Sequence, residues 1–115
     1  IITICGRYST ANGVDTFTLT GSLSTSDILS VVSTAAAVTN APVILRFIYT
    51  ARDSANAWGS VQGTINQVIK DAHNAAVTAA INFSATINPK IDITWSNADA
   101  GNTFSVDQAF MQILN

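Results

Sequence analysis

The sequence predicts an α+β two-layer sandwich, in which a five-stranded, mixed but mostly antiparallel sheet carries helices on one face. Three observations lead to this fold class. Several segments alternate apolar and polar residues, which is typical of half-buried strands. Residues 43–50 are apolar on both faces, as expected of a central strand. Other segments repeat apolar residues at helical spacing.

The first two strands are predicted to form a β-hairpin. Apolar and polar residues alternate over residues 2–9, and the alternation resumes around Phe17 and Leu19. Between the two segments stands Ala11-Asn12-Gly13, and an Asn-Gly pair tolerates the positive φ of a tight turn. The chain is therefore expected to reverse direction here and pair its first strand with its second.

A helix and then the central strand are predicted next. Ser24 and Asp27 resemble a weak capping box, and the residues that follow at helical spacing are Ile28, Val31, Val32, Ala35 and Val38. This first helix is expected to run to about Asn40. Pro42 then separates it from the central strand, Val43 to Thr50.

The second predicted helix has the most regular apolar stripe in the chain. Ser54 is positioned to cap it. Its inward-facing residues are predicted to be Trp58, Val61, Ile65, Val68, Ile69, Ala72 and Ala76. The polar residues between them, such as Gln62 and Lys70, are expected to face outward.

The last part of the chain predicts a second hairpin and a short helix. Residues 77–87 have a strict period of two, Asn88-Pro89-Lys90 makes a turn, and Ile91, Ile93 and Trp95 alternate on the return. Ser105 and Gln108 form a capping box for a helix containing Val106, Phe110, Ile113 and Leu114, although a strand through Phe104, Val106, Gln108 and Phe110 remains open. The predicted order is ββαβαββ plus a final helix, in one domain covering residues 1–115.

The composition excludes several classes of function. The 115 residues contain no glutamate and are 48% hydrophobic but only 10% charged, where about 25% charged is usual. The net charge is -2 and the five cations are scattered singly, so no basic stripe for a nucleic acid exists. The longest apolar run, Val43 to Tyr49, is interrupted by Arg46 and is too short to cross a membrane. A soluble chain is expected, with its compartment undetermined.

No group of residues points to catalysis. Cys5 and His73 are the one candidate for a thiol/imidazole pair, but the predicted fold puts Cys5 on the sheet face away from the helices and His73 in the helix layer. The seven aspartates are expected in turns and at helix starts, where carboxylates accept backbone N–H bonds. No phosphate-binding or dinucleotide motif is present. We therefore predict no enzyme activity, no catalytic, cofactor-binding or metal-binding residues, no cofactor and no small-molecule ligand.

The open face of the predicted sheet is rich in threonine. Its members would be Ile1, Thr3, Cys5, Arg7, Thr16, Thr18, Thr20, Ile44, Arg46, Ile48, Thr78, Asn82, Ser84, Thr86, Asp92 and Thr94. Arg46 is expected to pair with Asp92 across it. Such a face is either a contact surface for self-association or one solvated side of an antiparallel sheet.

The order of elements resembles de novo designed two-layer α/β proteins with a ββαβαββ chain. The resemblance covers Ile2 to about Trp95 and includes the Asn12-Gly13 hairpin and the passage from Tyr49 to Ser54. It implies a designed folding scaffold without an evolved activity, which is the first hypothesis. The alternative is a secreted or virion structural subunit that uses the threonine-rich face for contact. A small-molecule enzyme or binding protein is the third hypothesis.

Overall fold

The fold consists of β-strands packed in two sheets. The computed structural model describes residues 1–53, 55–74 and 81–114. Within these ranges the chain forms eight strands: β1 (Ile2–Ser9), β2 (Phe17–Leu23), β3 (Ser26–Val32), β4 (Ala41–Ala51), β5 (Ala57–Ile65), β6 (Val68–His73), β7 (Pro89–Trp95) and β8 (Thr103–Met111). The described residues contain no helix, and hence none that is long and apolar enough to cross a membrane.

Both sheets are antiparallel, and they differ in size. One has five strands in the order β6-β5-β4-β1-β8, and the other has three in the order β3-β2-β7. The strand β3 packs against β5 and β6, so the smaller sheet is placed toward the β6 side of the larger one. Of the residues of β8, at the far end of the larger sheet, Phe104 is partly buried and the others are exposed.

The hydrophobic core lies between the two sheets. Alternate residues of each strand point into it because side chains of a strand alternate between the two faces. The buried members of the main cluster are Ile4, Tyr8, Phe17, Leu19, Val31, Ala41, Val43, Leu45, Phe47, Val61 and Ile65. The residues between them in β4, such as Ile44 and Arg46, are exposed on the outer face.

The two strands predicted as a first hairpin exist but do not pair with each other. β1 pairs with β4 and β8, whereas β2 pairs with β3 and β7 in the other sheet. The chain crosses from one sheet to the other through residues 10–16. Here the side-chain oxygen of Asn12 accepts hydrogen bonds from the backbone N–H groups of Val14 and Asp15. The Asn12-Gly13 segment is thus a crossover rather than a hairpin turn.

The first predicted helix is wrong, because the chain forms strand β3 there. Asp27 pairs with Ser22, and Leu29 pairs with Gly21, so Ile28 is an extra residue in β3. This bulge places Ile28 and Val31, three residues apart, both in the core. The helix prediction rests on this same spacing of three between apolar residues.

The second predicted helix is also wrong, because residues 57–73 form the hairpin of β5 and β6. Its two-residue turn is Asn66-Gln67, and both residues have positive φ, 49° and 65°, as in a type I′ turn. Ile65 and Val68 flank the turn as a pair. The predicted cap Ser54 and the predicted stripe residue Ala76 lie outside the described residues.

Of the remaining predictions, the central strand is confirmed. The second hairpin, with its two strands, and the final helix are corrected. β4 is the middle strand of the five-stranded sheet. Residues 77–80 of the next predicted strand lie outside the described residues, and residues 81–88 form turns and irregular backbone rather than a strand. β7 exists but pairs with β2, with Pro89 inside it. The predicted final helix is strand β8, which was the open alternative.

The fold class and the resemblance drawn from it are therefore wrong. The protein is an all-β sandwich of two antiparallel sheets, not an α+β sandwich with helices on one face. The resemblance to designed α/β proteins depended on helices at residues 24–40 and 54–76, and the described parts of both segments contain none. No support remains for describing the chain as a designed scaffold.

A matched pair of alanine substitutions distinguishes this fold from the predicted helix. Ile65 is 1% exposed and Ile69 is 79% exposed, whereas a helix would bury both on one stripe. We expect Ile65→Ala to lower the free energy of unfolding by about 2–5 kcal/mol and Ile69→Ala to lower it by less than about 1 kcal/mol. Urea denaturation measures both, and equal losses would contradict the hairpin.

Candidate functional site

The candidate thiol/imidazole pair is not assembled in the structure. Cys5 in β1 and His73 in β6 both lie on the outer face of the five-stranded sheet, so the layer argument used against the pair is wrong. They are nevertheless separated by β4 and β5. His73 aligns through Ser60 with Ile48, whereas Cys5 pairs with Ile44, so the two are also offset by four residues along the strands. Three strand spacings of about 4.8 Å and this offset put them roughly 20 Å apart, which is too far for proton transfer between the two side chains.

The aspartates are dispersed through the fold. Asp27, Asp71, Asp92 and Asp107 lie in strands, contrary to the prediction that nearly all lie in turns and caps. Asp53 does accept turn N–H bonds: the backbone N–H of Ala55 donates to it at 2.8 Å, and this bond lowers the pKa of Asp53. Within residues 1–53, 55–74 and 81–114, no three His, Cys, Asp or Glu side chains lie close enough to hold a metal ion.

Asp15 is the most buried acidic residue of the described chain, at 1% exposure. Its carboxylate accepts hydrogen bonds from the side-chain amides of Asn102 at 3.0 Å and Asn97 at 3.5 Å. Asn102 also accepts a hydrogen bond from the backbone N–H of Ala11 at 2.8 Å. These contacts tie the loop before β2 to the loop between β7 and β8, so Asp15 has a structural role.

The predicted threonine-rich face is divided between opposite sides of the molecule. Thr3, Cys5 and Arg7 lie on the outer face of the five-stranded sheet with the exposed residues of β4. Thr18, Thr20 and Thr94 lie together on the outer face of the three-stranded sheet. The predicted face, as one surface, does not exist.

The predicted ion pair between Arg46 and Asp92 is consequently wrong. Arg46 belongs to β4 and Asp92 to β7, which lie in different sheets with their outer faces turned away from each other. Asp92 pairs instead with Lys90, two residues away on the same strand, at 2.8 Å. Trp58, predicted to be a core anchor, also lies on an outer face, where its ring centroid is 6.2 Å from that of His73.

The most unusual surface of the molecule is strand β8. Val106, Phe110 and Met111 are each 55–57% exposed, and the adjoining Ile113 and Leu114 are more exposed still. Val106 and Met111 face the inside of the sandwich, whereas Phe110 faces outward beside Thr3. We call the residues Phe104, Val106, Ala109, Phe110 and Met111 the β8 surface. Its inner face is apolar, and Phe110 adds one apolar side chain among the polar residues of the outer face. A monomeric protein seldom leaves a contiguous apolar surface in contact with water.

A groove runs along the inner side of the β8 surface. It has a volume of about 300 Å³ and lies between β1 and β8 on one side and β2 and β7 on the other. Its walls include Ile4, Leu19, Ile93 and Val106. A second depression of about 610 Å³ adjoins Met111, Ile113 and Leu114. Both are open to solvent.

A β-bulge in β8 determines which of its residues face the groove. Cys5 pairs with Gln108 and Gly6 pairs with Val106, so Asp107 is an extra residue. Gly6 allows this close approach, since a Cβ atom on Gly6 would collide with the backbone carbonyl of Ser105. The bulge shifts the alternation, so Phe104, Val106, Ala109 and Met111 all face inward. The helix and the strand predicted for this segment would each direct a different set of residues inward.

The bulged residue is fixed by an ion pair on the outer face. Arg7 donates to both carboxylate oxygens of Asp107, from Nε at 3.0 Å and from Nη2 at 2.9 Å. The hydrogen bond from Arg7 and its charge lower the pKa of Asp107. The pair is about half exposed, so it orients the bulge more than it stabilises the fold.

The far edge of β8 has unpaired backbone groups. Gln112 exchanges two hydrogen bonds with Ile1, both at 2.8 Å. In an antiparallel ladder such residues alternate with residues whose N–H and C=O point the other way. Met111 and Ala109, and beyond the bulge Val106 and Phe104, therefore direct their backbone groups away from β1. Among the described residues no strand accepts them.

The candidate surface is thus an edge of a β-sandwich, and the comparisons with known proteins add no further candidate. No protein-family model, curated protein or solved structure matches this chain. Sequence reasoning missed the β8 surface because it assigned residues 105–114 to a helix. The signal that could have found it is Phe104-Ser105-Val106, which alternates apolar and polar residues as an exposed strand does.

Removal of Arg7 tests the ion pair at the bulge. In Arg7→Gln we expect the pKa of Asp107 to rise toward its ordinary value, whereas Lys90→Gln should leave it unchanged. Since the folded pKa is below the unfolded one, the stabilisation by this pair is present at neutral pH and is lost as the pH falls through the folded pKa. Carboxyl-carbon NMR titration measures the shift, and an unchanged pKa would contradict the contact.

Substitution of Gly6 tests the close approach of β1 and β8. We expect Gly6→Ala to lower the free energy of unfolding by about 1–3 kcal/mol, because the new Cβ forces the β8 backbone to move. The matched control is Gly13→Ala, where the nearest atom is 3.8 Å away and a change within about 0.5 kcal/mol is expected. Urea denaturation decides, and equal effects would show that Gly6 is not constrained.

Proposed function

We propose that this protein is a non-enzymatic structural subunit that acts by self-association, and that its contact surface is the β8 surface. The single observation that carries the proposal is the exposure of β8: three large apolar side chains of this one edge strand, two of them on its inner face, are more than half exposed. Contiguous apolar surface of this kind marks protein contacts, whereas single exposed apolar residues do not.

The lack of edge protection on β8 supports this proposal. Natural sheets block free edges with lysine, proline, inward charges or short strands. β7 begins with Pro89 and carries Lys90 and Asp92, and β6 is only six residues long and carries Lys70 and Asp71. β8 is nine residues long and its one charged residue, Asp107, is neutralised by Arg7. Of these edges, β8 is the one best suited to accept another strand.

The distribution of polar groups supports a function without catalysis. Cys5 and His73 are separated by two strands, and the carboxylate of Asp15 is occupied by Asn97 and Asn102. Catalysis needs a nucleophile, a base and an orienting group directed at one point. The threonines of the three-stranded sheet form a polar face suited to solvent, so the β8 surface replaces the threonine-rich face as the candidate contact.

A charge in the β8 surface tests the proposed function. We expect the wild-type protein to form a concentration-dependent oligomer in size-exclusion chromatography with light scattering. Val106→Asp should weaken the association about thirtyfold or more, because an unpaired carboxylate buried in an interface costs at least ~2 kcal/mol. Val106 is half exposed in the single chain, so the variant should still fold.

Two substitutions serve as controls for position. Ile69→Asp introduces the same charge at a more exposed apolar residue of β6, and Thr18→Asp introduces it on the outer face of the three-stranded sheet. Both variants should associate as the wild type does. A wild-type protein that stays monomeric at all concentrations would refute self-association, and loss of association in Thr18→Asp alone would move the contact to the threonine face.

A further inference from the structure

The positions of the inward-facing residues of β8 are symmetric about one point of the strand. These residues are Phe104, Val106, Ala109 and Met111, because the bulge at Asp107 inserts one extra residue in the middle. Phe104 and Met111 are equally distant in sequence from the bond between Asp107 and Gln108. The same is true of Val106 and Ala109. A regular strand does not have this symmetry about such a point, since its inward residues are evenly spaced by two.

The same four residues supply the unpaired backbone groups of β8. Their N–H and C=O groups point away from β1, as the paired hydrogen bonds between Ile1 and Gln112 require. One set of residues thus presents both apolar side chains to the groove and hydrogen-bonding groups to the free edge. A neighbouring strand must therefore match both features at the same positions.

We propose that two copies of this chain join by antiparallel pairing of their β8 strands about a two-fold axis that passes between Asp107 and Gln108. The proposal rests on the proposed function and specifies its geometry. Phe104 of one copy lies opposite Met111 of the second, and Val106 lies opposite Ala109. Each such pair exchanges two hydrogen bonds, and the two five-stranded sheets become one continuous sheet of ten strands.

Neighbouring registers do not satisfy the pattern. A shift by one residue puts inward residues of one copy opposite outward residues of the second, so apolar side chains face different sides. A shift by two residues places Val106 opposite Asp107 of the second copy in one direction, and Ala109 opposite Gln108 of the second copy in the opposite direction. The proposed register instead places Asp107 opposite Gln108 of the second copy, so like charges are not directly opposed.

The second copy is the occupant that this surface fits best. A two-fold interface uses the same patch on both partners, so the patch must be complementary to itself. The symmetric spacing of the apolar inward residues, the absence of opposed like charges and the low charge of β8 all meet that requirement. A strand from a different protein would need no such symmetry in β8.

Cysteine crosslinking tests the register directly. In the proposed dimer Ser105 lies opposite Phe110 of the second copy as a non-hydrogen-bonded pair, with Cα atoms about 4.5 Å apart, within the range of a disulfide. Chains carrying Ser105→Cys are mixed with chains carrying Phe110→Cys under mild oxidation. Both carry Cys5→Ser, so that the native thiol does not compete. We expect the mixed disulfide to exceed either homodimeric disulfide at least about tenfold.

The control mixture reports a shifted register. Chains with Ser105→Cys and chains with Gln108→Cys, again with Cys5→Ser because Cys5 pairs with Gln108 in the same chain, should remain uncrosslinked. Each single variant alone should also give little disulfide. Residues 105–110 span four steps of β1 because of the bulge, so the two cysteines of either variant would be about 14 Å apart along the strands. A predominant Ser105–Gln108 product would overturn the register.

Hydrogen exchange of the wild-type chain gives a second readout that needs no cysteine. The amides of Phe104, Val106, Ala109 and Met111 should exchange at least about tenfold more slowly at high than at low protein concentration, and Val106→Asp should abolish the difference. An oligomer with neither this protection nor the mixed disulfide would overturn β8 pairing while the proposed function stands. A chain that remains monomeric would overturn both.

Discussion

The packing of Phe17 against three aromatic rings joins the two sheets, and much of the structure depends on it. Its ring centroid lies 4.8 Å from that of Tyr8, 5.4 Å from that of Trp95 and 5.3 Å from that of Phe104, each in an edge-to-face arrangement. Tyr8 and Phe104 belong to the larger sheet, Phe17 and Trp95 to the smaller one. This cluster holds the end of β7 and the start of β8 together. Farther from Phe17 the two strands separate, and the groove opens between them.

The two sheets differ in size, and the larger one exposes an apolar edge in a chain of low charge. Burial of apolar area drives the packing of the sheets. β3 lies over β5 and β6 at one side of the larger sheet, whereas β7 is joined to β8 at the other side through the aromatic cluster at Phe104. Large apolar side chains are also exposed on other strands, such as Ile44 in β4 and Ile69 in β6. The β8 surface combines Val106, Phe110 and Met111 with a free edge of nine residues, and pairing of two copies would cover both.

The helix predictions failed for a reason that is visible in particular residues. In the hairpin of β5 and β6 the inward residues Val61, Ile65, Val68 and Ala72 follow one another at spacings of four, three and four, because a two-residue turn lies between Ile65 and Val68. This is the spacing of an amphipathic helix. The true period of two is also concealed in β5, where inward positions are occupied by Gly59 and Gly63. The sequence pattern alone is therefore ambiguous there.

By itself the sequence determined the strands whose period of two is uninterrupted, namely β1, β2, β4 and β7, and the position of β4 at the centre of its sheet. Local alternation indicates a strand and its buried face, but not its partner. The equally strict alternation of residues 81–87 belongs to turns and irregular backbone, so alternation alone does not decide that a strand forms. Only the tertiary structure decided that β1 and β2 belong to different sheets and that Ile28 and Asp107 are bulged. Those features depend on contacts between residues distant in sequence, such as that of Gly6 with Ser105. A local sequence pattern cannot predict such contacts.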